Sequence, residues 1–498
     1  MPEEKSKRVN HSVTENIIWN GFLKLFGVLF PLITFPYATR CLGAESLGRV
    51  TFVGSIISYF TLCANLGIPT YGIRACSKVR DNQKDLSKTV HEIFLINVVT
   101  TIIAYAVLVG CIIFIPWFKS EKILLLVSSI SIVFSCIGMD WLYSAIEEYR
   151  YITIRSFVIK IISLVVLFIF VKNENDYIAY ACVSAIASVG SNIFNLFRLK
   201  KIIILKPLGN YQFKKHLKPI FTFFATTIAV MIYTNIDTAM LGFLSNNTEV
   251  GYYAVAVKLK TVLLSVITSV GVILLPRITY YLSNNQKNLA VQLSAKTLHM
   301  ILLISIPLVL FFEMNCKTSI DIFAGAGYEP AVDSMMVLMP LLVIVGVANI
   351  LVYQYILPKG MEQKYCIITV ISAGIDIVIN LILIPSYGAL GVAIGTLAAE
   401  TVGLIIQIVI LKNDIRLIWG MVRKMPIVLS VICACIAEAT LFYFIRNVVI
   451  SSSIIQMIIS GVVFWITYAG TLWLCKDVFI IEMWFKMLEF GKKIIHSK

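Results

Sequence analysis

The sequence predicts an all-α integral membrane protein of about fourteen transmembrane helices, and three observations predict it. The 498 residues are 59% hydrophobic and only 14% charged, with a mean hydropathy of +0.88. No soluble core hides that much apolar surface, whereas a bilayer removes the need to. Apolar runs of about 20 residues, the length that crosses hydrocarbon as a helix, recur along the chain. None alternates in the ten-residue pattern of an outer-membrane barrel. Finally, Lys and Arg gather in alternate connections between the runs, as they do in a multi-pass protein.

Taken in order, runs bounded by charges, prolines and glycines place spans near 16–39, 49–71, 92–115, 122–142, 153–172 and 177–198. A second set follows near 219–243, 251–276, 297–315, 331–357, 365–385 and 391–411, and a final pair near 426–446 and 454–475. With the N-terminus inside, the inner connections receive about 31 Lys and Arg and the outer ones about 7. That imbalance orients the chain with both termini cytoplasmic. The polar first dozen residues lead into a full span without a small-residue cleavage site, so no cleaved signal peptide is expected.

The longest inner connection, near 199–218, divides two blocks of six spans. Each block opens alike: RCLGAESLG (Arg40 to Gly48) follows the first span and MLGFLSNNTEVG (Met240 to Gly251) the seventh. Even span numbers make the repeats parallel, related by an axis along the membrane normal. The expected divisions are 1–205 for an N-terminal lobe, 206–415 for a C-terminal lobe, 416–475 for two further spans and 476–498 for a cytoplasmic tail. The tail sets Trp484, Met487 and Leu488 among lysines, as an interfacial amphipathic helix would, or an ordinary tail helix.

The net charge of +15 is spread over short connections, the pattern of topology and not of nucleic-acid binding. The eleven cysteines lack metal-ligand spacing and read as small packing residues. The five histidines have no ligand-spaced partner, and no phosphate-binding loop is present, so neither a metal site, a cofactor nor ATP hydrolysis is expected.

Charges inside the spans mark where function lies, because an ion at bilayer depth costs at least ~2.5–3.5 kcal/mol and turns toward a wet cavity or a partner. Asp237, Lys258 and Lys260 lie ~9 to 13 Å from the turn joining the seventh and eighth spans. Two readings stand: an ion pair between helices, or a cationic patch for an anionic cargo. Asn16, Asn20 and Lys24 share one face of the first span. Thr261 continues a polar stripe from Lys258, and Tyr233 falls near the face of Asp237. Asp376, Asn380 and Glu400, in the eleventh and twelfth spans, are candidates for coupling to a proton or sodium gradient, or for hydrogen bonds between helices.

The run Tyr37 to Ala75, together with NIDTAMLG (Asn235 to Gly242), VGYYAVAVKL, VILLPR and NLILIPSYGALGVAIGTLAAE (Asn380 to Glu400), resembles the polysaccharide flippases. These are the Wzx-type translocases of the multidrug/oligosaccharidyl-lipid/polysaccharide exporter superfamily. The resemblance implies two six-helix lobes, MATE-like and MurJ-like, around a central cavity, plus two C-terminal helices, working by alternating access. It implies a cargo of oligosaccharide repeat units on undecaprenyl diphosphate, carried to the outer leaflet of the bacterial cytoplasmic membrane. The pathway's polymerase and glycosyltransferases are implied partners of what would be a monomer among membrane lipids. Similar flippases use cations from the first, second and eighth spans, matched here by Lys24, Arg49 and Lys258 or Lys260. Asn20, Tyr233 and Thr261 would then meet the sugar. The alternatives are a drug exporter of the superfamily and a multi-span polymerase or ligase; the short outer connections disfavour the enzyme.

Overall fold

A computed structural model of the chain describes residues 13–445 and 452–477. The tail expected as an amphipathic helix lies outside the described residues, apart from Lys476 and Asp477. Among the described residues, ten helices are long and apolar enough to cross a membrane. Two of these are kinked pairs, Ile18–Ser77 bent at Gly43 and Glu362–Ile410 bent at Gly388. Parted at those glycines they give twelve apolar segments, and with the shorter apolar helix Lys122–Gly138 and the helix Lys214–Leu244 the described residues are roughly consistent with the count that hydropathy predicts.

Compactness divides the chain into residues 1–251 and 252–498. The first unit holds α1 (Val13–Asn65), α2 (Ile68–Ser77), α3 (Gln83–Phe114), α4 (Pro116–Ser120) and α5 (Lys122–Gly138). It continues with α6 (Asp140–Ala145), α7 (Tyr149–Phe170), α8 (Tyr177–Val189), α9 (Ile193–Leu199) and α10 (Lys214–Leu244). Its last residues begin α11 (Asn247–Ile273).

Side chains in this unit are arranged as lipid demands, apolar outward and polar inward. In α3, Val99, Ile102, Ile103 and Val107 are exposed while Glu92, Asn97 and Thr101 are buried. The first limb of α1 runs parallel to α7: Thr153 Oγ1 donates to the Trp19 carbonyl at 3.0 Å, Phe26 meets Phe157 at 4.7 Å, and Tyr37 meets Phe168 at 4.6 Å. Parallel packing of the first and fifth spans is what the three crossings between them, an odd number, require.

The repeated glycine motifs meet within this unit. A Cβ on Gly48 would lie 1.7 Å from the Asn247 carbonyl oxygen, and one on Gly251 would lie 2.0 Å from that of Ala44. Each carbonyl belongs to the residue four places before the other glycine. The two turns therefore interlock reciprocally, backbone on backbone.

The second unit takes up α11 and adds α12 (Leu275–Ser283), α13 (Lys287–Met314), α14 (Cys316–Phe323), α15 (Ala331–Leu338) and α16 (Leu341–Leu351). A π turn at Val352–Ile356 precedes α17 (Glu362–Ile410), α18 (Lys412–Met421), α19 (Lys424–Ile445) and α20 (Ser453–Leu474). The limbs of α17 fold on each other with Ser372, Asp376 and Asn380 buried between them. Small residues let the limbs approach: a Cβ on Gly395 would sit 2.2 Å from Asn380 Oδ1 and 3.1 Å from Asp376 Oδ1. The hairpin α19–α20 is tied to the end of α13 by a buried cluster. Asn315 Nδ2 donates to Glu438 Oε1 at 2.5 Å, and the Ser460 hydroxyl bonds Glu438 and, at 3.1 Å, Asn315 Oδ1.

Candidate functional site

The first unit lines an open cavity of about 540 Å³, within the ~300–1,000 Å³ typical of small-molecule sites. Its walls come from the second limb of α1, from α2, α5 and α8, and from α10. Thr51, Ser58, Thr61 and Asn65 form the α1 wall, and Ser128, Ser131 and Ser135 the α5 wall. Tyr180, Ser184 and Ser188 face them from α8, and Thr227 from α10. Each wall repeats at three- and four-residue spacing, the period that keeps side chains on one helix face.

Five of these hydroxyls spend their single proton on their own helix. Thr51 donates to Leu47 O at 2.8 Å, Ser58 to Gly54 O at 2.9 Å and Thr61 to Ile57 O at 2.8 Å. Ser131 donates to Ser128 O at 2.7 Å, and Thr227 to Phe223 O at 2.8 Å. A hydroxyl so engaged presents lone pairs, and lone pairs receive donors such as sugar hydroxyls. Across the cavity Asn65 Nδ2 donates to Ser135 Oγ at 2.9 Å, which leaves the amide oxygen as a further acceptor. None of the described lining residues is charged.

Several charges of this unit pair with one another at its two ends. Arg49 Nε stands 2.6 Å from Glu121 Oε1, with its guanidinium 4.8 Å from the Tyr177 ring. At the other end the buried Arg155 pairs with Asp140 and donates to Asn192 Oδ1 at 2.9 Å. Arg198 binds both carboxylate oxygens of Glu148 at 2.8 Å. The fully buried Glu92 receives Lys215 Nζ and His216 Nε2, each at 2.8 Å, and the Gln212 backbone N–H at 2.6 Å. His216 Nδ1 is 2.6 Å from the Tyr71 hydroxyl, one residue past Thr70 on the cavity wall. A histidine without a sequence-spaced partner thus finds two in the fold; His299 likewise meets Asp477 at 2.9 Å.

Of the residues singled out in the sequence, Asn20, Lys24, Arg49, Tyr233 and Asp237 belong to the first unit, and Lys258, Lys260 and Thr261 to the second. Asn16 is buried, Asn20 half-buried and Lys24 exposed, so the polar face of α1 opens outward along its length. Asp237 is buried in α10 and Lys258 and Lys260 are half-buried in α11, while the Tyr233 side chain lies outside the described ones. Thr261 is exposed and donates to Val257 O at 2.7 Å. Asn380 Nδ2 donates to Asp376 Oδ1 at 3.3 Å, and Glu400 is half-buried farther along the second limb. The hydroxyl walls carry no charge to mark them in the sequence, although their three- and four-residue spacing is legible there.

Residues 13–282 match a family described as polysaccharide biosynthesis proteins. The chain is 22% identical over 409 residues to the "Putative O-antigen transporter" of Escherichia coli (strain K12), covering 81% of this chain and 97% of that one. Its fold is similar to that of the lipid II flippase MurJ in an inward closed conformation, with a TM-score of 0.68, 16% identity, and 96% and 100% of the two chains covered. An inward-facing multidrug resistance MATE family transporter of the MOP superfamily gives 0.61 at 14% identity, over 82% and 99%. With the family match extending over more than half of its residues, the protein belongs to the polysaccharide biosynthesis protein family.

Proposed function

We propose that this protein is a transporter, not an enzyme, that moves lipid-linked oligosaccharide repeat units from the inner to the outer leaflet of the bacterial cytoplasmic membrane. The observation that carries this is the hydroxyl-lined cavity, uncharged among the described residues and built by membrane-spanning helices, in a member of a polysaccharide biosynthesis family. Kinship to an O-antigen transporter supports it. Alternating access supplies the motion, and both termini face the cytoplasm. Lys24 and Lys258, with Lys260 beside it, attract the carrier's diphosphate, since a phosphate in a membrane requires cationic donors. Arg49 stands outside this set because Glu121 already neutralises it. Asp376, Asn380 and Glu400 are the groups through which an ion gradient would act, and the polymerase and glycosyltransferases of the pathway are the partners.

The test is accumulation of lipid-linked units in a deletion strain, with leaflet location scored by a membrane-impermeant sugar-labelling reagent. Complete single units trapped on the inner side are expected; single units that reach the outer side unpolymerised would sink the flippase reading. Likeness to a MATE transporter also suggests a drug exporter, but a cationic drug wants a carboxylate, and no described lining residue is acidic.

A further inference from the structure

We infer that the cavity of the first unit seats the sugar portion of the cargo and accepts uncharged sugars in preference to acidic ones, a reading that rests on the flippase function proposed above. Three observations meet in it. Thr51, Ser58, Thr61, Ser131 and Thr227 have committed their protons to their own helices, so they accept hydrogen bonds and do not give them. Neutral sugars supply a donor from every hydroxyl, whereas a carboxylate is an acceptor only and, at these five positions, faces lone pair with lone pair.

The second observation is that the described lining residues are uncharged and offer a uronate no counter-ion. The third is that five cations of this unit are already engaged. Arg49, Arg80, Arg155, Arg198 and Lys215 are each held by a carboxylate, Glu121, Glu147, Asp140, Glu148 and Glu92 respectively. Drawing one of them toward a bound uronate would strip its own partner. An uncompensated charge within membrane-spanning helices carries a penalty on the order of a hundredfold in an equilibrium constant. The carrier diphosphate, which needs charged donors, is for the same reason held outside this cavity.

The experiment compares maltotetraose with the same oligosaccharide oxidised at C6 of its terminal hexose. Binding to the purified full chain is measured in detergent, and flux of the matching polyprenyl-diphosphate-linked sugars in proteoliposomes. The neutral sugar should bind at least ~10-fold more tightly. Ser131→Lys should bring the uronate to within about twofold of it by supplying the missing counter-charge. Ser184→Lys, on a different helix, repeats the test should the first variant fail to fold. Equal binding of the two sugars by the unaltered protein, or Lys variants that weaken both in proportion, overturns the inference. Selective binding without flux supports the sugar preference and refutes the flippase reading; flux of both with equal binding does the reverse.

Discussion

Glu92 shows how a single residue is committed by its surroundings. It is fully buried, yet three donors from the start of α10 and the connection before it converge on it. Removing it leaves the buried His216 and the Gln212 N–H without their acceptor, at about 1–3 kcal/mol, while the half-exposed Lys215 turns to water. Glu92→Ala should therefore lower stability by that amount in a denaturant titration of the purified protein, and Glu92→Gln, which keeps an acceptor for Gln212, should lose less. At this scale the sequence was readable for the presence of charges and unreadable for their pairing. Lys24, Arg49 and Lys258 stood out because ions are rare in spans, but nothing in the order of residues joins Arg49 to Glu121 or His216 to Tyr71. Those contacts exist only after helices distant in the chain have packed.

Among the elements, the α17 hairpin makes the sharpest claim. Asn380 and Asp376 lie in the seam, against a glycine that leaves room for no methyl group. Gly395→Ala should cost roughly 1–3 kcal/mol by overpacking, read as a lowered thermal midpoint, and Asn380→Ala in the same chain should recover most of it. If the double variant is no better than the single, the seam is not the cause. A second prediction concerns the cluster that anchors α19–α20. Glu438→Leu strands Asn315 and Ser460 and should cost about 1–3 kcal/mol for the polar groups left unsatisfied, detected as earlier proteolysis of the α19–α20 hairpin. Spans were legible at this scale because hydropathy is a local property, summed over twenty neighbours. The cavity was not, since its walls come from five helices, each contributing a stripe too modest to announce itself.

For the whole molecule, the distribution of Lys and Arg assigns sides to every connection. Alkaline phosphatase joined after Lys172 should be active, and green fluorescent protein joined after Lys206 should fluoresce. The opposite pair of signals would invert the orientation and, with it, the direction of transport. Membrane residence came from composition, and the span count from the order of apolar runs along the chain. What the chain carries depends on which residues line its cavities, and that is a property of assembly.

The reciprocal lock of Gly48 and Gly251 bears on how such a chain tolerates change. Each glycine shelters the carbonyl four residues before the other, so a methyl at either position disrupts the same small patch of backbone. Gly48→Ala and Gly251→Ala should accordingly be strongly non-additive, the pair costing little more than one alone in a stability cycle. Once one is lost, the other is no longer held in place by its contacts. Two positions far apart in the gene would thus drift as a single hereditary character, kept together or released together.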